Sequence, residues 1–85
     1  MKSIYAITPS GIDFKKLINE IEKMLSLGIK LFQYREKSLS EEQLKNNASI
    51  LLEVIKKNNG KLLINDSPKI AVEIGADGFH LGMED

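Results

Sequence analysis

The sequence predicts an α/β fold, a parallel βαβαβαβ unit forming one domain, on three observations. Four short apolar segments alternate with stretches in which apolar residues recur every three or four positions. Each of those amphipathic stretches opens at a capping residue and closes at or beside a glycine. Each apolar segment then runs into a polar loop, three of which carry charge or amide groups in close succession.

Ile4 to Thr8 is apolar and β-branched, and Pro9-Ser10-Gly11 closes it as a strand followed by a turn. Asp13 caps a helix expected over about residues 13–27, with Phe14, Leu17, Ile18, Ile21, Met24 and Leu25 as its stripe. Gly28 follows as a left-handed residue. Ile29 to Gln33 is the second strand. Ser40 and Gln43 form a capping-box pair at the head of a helix over about residues 41–58. Leu44, Ala48, Leu51, Leu52 and Ile55 make its apolar face, and Asn59-Gly60 ends it. Leu62 to Ile64 is the third strand. Ser67-Pro68 places a cap and a first-turn proline on a short helix over about residues 67–74, buried through Ile70, Ala71 and Ile74. Gly78 to Leu81 is the fourth strand. Right-handed crossovers set the helices on one face of the sheet.

Composition narrows the function classes. Lys plus Arg balances Asp plus Glu at 12 each, which argues against a nucleic-acid footprint spread over the surface. The absence of cysteine excludes disulfides and thiolate metal sites. No apolar run approaches a membrane span, and Met1 to Tyr5 has no signal-peptide pattern, so a cytoplasmic protein is expected.

The loops carry the candidate chemistry. Gln33, Arg35 and Lys37 are spaced by two, so strand geometry continued to Lys37 would put them on one face, opposite Phe32 and Tyr34. A guanidinium grips phosphate bidentately and an ammonium adds a point charge, although such a run also suits a solvated loop. Asn65 and Asp66 follow the third strand, and Glu84 and Asp85 the fourth. Taken alone, Asp66 suits capping the next helix or starting an Asx turn better than binding a ligand. Ligands of parallel α/β folds bind at the carboxyl ends of strands, where Asp66 and Asp85 would stand as two hard oxygen ligands of the kind magnesium takes. His80 has no carboxylate partner at short range and suits a core position better than a general base.

Three segments resemble the thiamine phosphate synthase family: Gln33-Tyr34-Arg35-Glu36-Lys37, Leu63-Ile64-Asn65-Asp66, and Gly75-Ala76-Asp77-Gly78-Phe79-His80-Leu81-Gly82-Met83-Glu84-Asp85. Tyr5-Ala6-Ile7-Thr8-Pro9 is similar to that family's first strand. The resemblance implies the amino-terminal half of a (β/α)₈ barrel, and a transferase that joins hydroxymethylpyrimidine diphosphate to a thiazole phosphate with release of pyrophosphate. Gln33, Arg35, Lys37 and Asn65 would then contact the pyrimidine diphosphate, with Arg35 and Lys37 stabilising the leaving group. Asp66 and Asp85 would hold Mg²⁺. The chain departs from the family pattern at Pro9, where many members carry aspartate, and at Ser67, where many carry arginine. At 85 residues it is far short of the roughly 250 of a full barrel, so the thiazole phosphate site is expected to be missing and the chain inactive alone. A related thiazole tautomerase is the neighbouring possibility, disfavoured by Asp66 and Asp85. A non-catalytic half barrel that self-associates or pairs with a complementing carboxyl-terminal half is the other, because an open sheet leaves edges uncovered.

Overall fold

The computed structural model describes residues 5–9, 11–65 and 67–80. The chain alternates strand and helix throughout: β1 Tyr5–Ile7, α1 Phe14–Ser26, β2 Leu31–Tyr34, α2 Glu41–Lys57, β3 Lys61–Asn65, α3 Pro68–Ile74 and β4 Gly78–His80. All strand pairs are parallel, in the order β1-β2-β3-β4. Parallel neighbours in sequence order place every strand's carboxyl end, and hence every βα loop, on one side.

Each helix begins as its cap residue dictates. The Asp13 carboxylate accepts the Lys16 N–H, and Ser67 Oγ accepts the Ile70 N–H ahead of Pro68 in the first turn. At α2 the capping box is complete: Ser40 Oγ accepts from Gln43 N–H, and the Gln43 side chain accepts from Ser40 N–H. All three helices also end on the same reversed bond, in which an N–H reaches back five residues: Ile29 to Met24 O, Gly60 to Ile55 O and Ala76 to Ala71 O.

These endings shift two sequence expectations. The first helix stops at Ser26, and β2 starts at Leu31 rather than Ile29. Ile29 spends its N–H on the Met24 carbonyl at 3.0 Å, closing the helix end, so it cannot open the strand ladder. At the second helix end, Asn59 adopts the left-handed conformation (φ 62°). Gly60 serves there because of space: a Cβ on it would stand 2.7 Å from Ile55 Cγ2 and 3.0 Å from the Lys30 carbonyl.

The core lies between the sheet and the helix layer. Phe32 and Tyr34 of β2, and Leu62 and Ile64 of β3, are buried against Leu17, Ile21 and Leu25 of α1, Ala48, Leu51 and Ile55 of α2, and Ile70 and Ala71 of α3. Burial of these side chains is the main favourable term in folding. The other face of the sheet carries the row Ile7, Gln33, Leu63 and Gly78, paired side by side. Here Ile7 is 49% exposed, while Gln33 is buried. Among the described residues no helix is long and apolar enough to cross a membrane.

At the amino ends of the strands, Asp77 fastens three elements. Its carboxylate accepts from Lys56 Nζ of α2 at 2.6 Å and from Leu62 N–H of β3 at 2.9 Å, while its own N–H donates to the Leu62 carbonyl at 3.1 Å. Burial pushes this carboxyl up, but the Lys56 ammonium and the Leu62 N–H outweigh it and hold the group below its ordinary range.

Candidate functional site

The candidate site lies at the carboxyl ends of β2 and β3. The strand geometry that would have carried Gln33, Arg35 and Lys37 onto one face ends at Tyr34. Arg35 turns its N–H to Thr8 Oγ1 at 3.0 Å. Residues 37–39 then bend. Thr8 is itself buried at the end of β1, where its N–H donates to the Gln33 carbonyl at 3.0 Å. A loop pinned in this way is presented to the ligand side by the β1 loop, and not by continued strand pairing.

A cavity of about 370 Å³ opens between this loop and the one after β3. Glu36, Lys37 and Leu39 line one side, Asn65 and Ser67 the other, and Glu41 of α2 closes part of the wall. The structure thus sets Lys37, from the loop after β2, and Asn65, the last residue of β3, in the wall of one cavity. Gln33 is 3% exposed within β2, and neither it nor the exposed Arg35 lines this cavity. Asp66 and Asp85 lie outside the described residues, as do Gly82 and the side chain of His80. Ser67 occupies the α3 cap position. Among the described residues, no group of three His, Asp or Glu side chains could hold a metal.

The two carboxylates in the cavity wall have partners. Glu41 pairs with Lys69 at 3.2 Å. Glu36 Oε2 accepts the Gly11 N–H at 2.9 Å, and its Oε1 accepts the N–H and the hydroxyl of Ser38 at 3.2 and 2.9 Å. The Gly11 N–H, ahead of the Ser38 bonds, sets the Glu36 carboxyl below the ordinary glutamate range. Sequence reasoning passed over Glu36 and Thr8 because their partners lie 25 and 27 residues away. A larger groove of about 630 Å³ runs along the outer side of α2, between Ser49 and Lys57. Among the described residues it is lined by α2 alone.

A family model described as thiamine monophosphate synthase matches residues 4–85. The chain belongs to the thiamine monophosphate synthase family. The thiamine-phosphate synthase of Methylobacillus flagellatus is 38% identical to it over 85 residues, spanning all of this chain and 41% of the relative. That of Nitrosospira multiformis is 43% identical over 82 residues, 96% of this chain and 35% of the relative. The chain therefore spans about two-fifths of the length of the curated relatives it matches. In fold it is similar to the thiamine phosphate pyrophosphorylase from Pyrococcus furiosus, with a TM-score of 0.80 at 22% identity, over 95% of this chain and 39% of that one. The parallel βαβαβαβ unit is thus that of a (β/α)₈-type barrel taken over part of its circumference.

Proposed function

We propose that the chain supplies the pyrimidine-diphosphate side of a thiamine phosphate synthase, a transferase of thiamine biosynthesis. The observation that carries this reading is the cavity at the strand carboxyl ends, in which Lys37 and Asn65 meet. Lys37 offers an ammonium to a diphosphate oxygen, Asn65 an amide to a polar edge of the ligand, and Arg35 a guanidinium from the adjoining loop position. Gln33, buried within β2 and outside the cavity lining, is a substrate contact in this reading only through the family resemblance. Arg35 and Lys37 would stabilise negative charge building on pyrophosphate as it leaves.

In this reading Asp66 and Asp85, assigned to magnesium by the family resemblance, would supply the hard carboxylate oxygens that the ion prefers. Bound there, it would add Lewis-acid stabilisation of the diphosphate charge. The thiazole phosphate partner substrate is assigned to parts of a barrel other than these strands. Turnover therefore requires the rest of a barrel, whether from the same polypeptide or from a separate complementing chain. A cytoplasmic location suits this chemistry.

One observation favours a second reading, a self-associating half barrel. The sheet face away from the helices exposes Ile7, and a second copy could cover it.

The deciding assay incubates the 85-residue chain with hydroxymethylpyrimidine diphosphate, thiazole phosphate and magnesium, with and without a carboxyl-terminal barrel segment of a relative. Thiamine phosphate formed in the mixture supports the reading. Dimerisation with neither turnover nor ligand binding supports the half-barrel module.

A further inference from the structure

Two separate hydrogen bonds hold the loop after β2 to the loop after β1. Thr8 Oγ1 takes the Arg35 N–H, and Glu36 Oε2 takes the Gly11 N–H. The other Glu36 oxygen closes the turn at Ser38. Gly11 makes its bond from a left-handed backbone (φ 80°), a conformation that favours glycine. As a plain surface charge, a carboxylate set between Arg35 and Lys37 would offset the positive potential that the loop offers an anion. Glu36 instead directs both oxygens to N–H and O–H donors, and such charge-assisted bonds are roughly twice as strong as neutral ones. They fix the backbone on both sides of residue 36, in the segment carrying the two cations.

We propose that Glu36 is a positioning residue. It locks the β1 loop onto the β2 loop so that Arg35 and Lys37 meet the ligand's diphosphate from a preset backbone. This rests on the function proposed above. Presetting the loop removes an ordering cost that binding would otherwise carry.

The test compares wild type, Glu36→Ala and Glu36→Gln in the ¹⁵N-labelled chain. It reads amide hydrogen exchange without ligand, then titrates magnesium pyrophosphate. In Glu36→Ala, Gly11 and Ser38 should exchange about tenfold faster or more, and pyrophosphate affinity should fall about tenfold. Core amides such as Leu51 and Ile64 should keep their protection. Glu36→Gln, with one acceptor oxygen left, should fall between. Unchanged exchange at Gly11 in Glu36→Ala would overturn the clip. Tighter pyrophosphate binding in that variant would show a plain negative charge and overturn the positioning role, as would unchanged affinity. Lost core protection in both variants would make Glu36 a stability residue and overturn it too. A wild type that binds no pyrophosphate would defeat the proposed function, and the positioning role with it. The ligand-free exchange still reports the clip separately.

Discussion

At the scale of single residues, the side chains that organise the molecule are those whose partners lie far away in sequence. Asp77 is the clearest. Its carboxylate satisfies the Leu62 N–H and pairs with Lys56, and its side chain is only 17% exposed. Asp77→Ala should therefore destabilise the fold by about 1–3 kcal/mol, because a buried strand N–H loses its acceptor. Urea unfolding monitored by circular dichroism measures this. The pH dependence follows from the lowered carboxyl pKa. The stabilisation is fully present above the unfolded value near 3.9 and is lost as pH falls through the lower folded value. The gap between wild type and Asp77→Asn should thus narrow on acidification below about pH 4. A gap that stays constant down to the acid limit would show that the carboxylate charge plays no part.

At the scale of elements, the caps set the boundaries. Ser40→Ala removes the α2 capping box and should cost about 1 kcal/mol. Gly60→Ala should cost about 1–3 kcal/mol, since its methyl would meet Ile55 and the Lys30 carbonyl at the helix end. Asn59→Gly, at a left-handed residue, should change stability by only a few tenths of a kcal/mol. Thermal unfolding of the three variants gives the order. The caps and stripes were legible in the sequence because they are local: Asp13, Ser40 and Ser67 each bond an N–H three residues on. The strand starts were less so. Ile29 suits a strand by composition, and only its bond to Met24 removes it from one. The candidate site was legible in part for the same reason. Lys37 follows, and Asn65 ends, a strand that periodicity identifies, whereas the clips at Thr8, Glu36 and Asp77 depend on contacts that no local pattern encodes.

At the scale of the whole molecule, one arrangement links fold to function. Four parallel strands in sequence order deliver their βα loops to one side, and two of those loops enclose the cavity holding Lys37 and Asn65. The helix layer buries one sheet face completely enough to fix that geometry, while Ile7 on the other face leaves room for further structure. The central claim is that this cavity receives the diphosphate. Calorimetric titration of the chain with hydroxymethylpyrimidine diphosphate, with and without magnesium, tests it most directly, using wild type, Lys37→Ala and Asn65→Ala. The account predicts magnesium-dependent binding that weakens about tenfold in each variant, as expected for loss of a hydrogen bond to a charged group. Binding of equal strength in all three proteins, or no binding to the wild type, would contradict it.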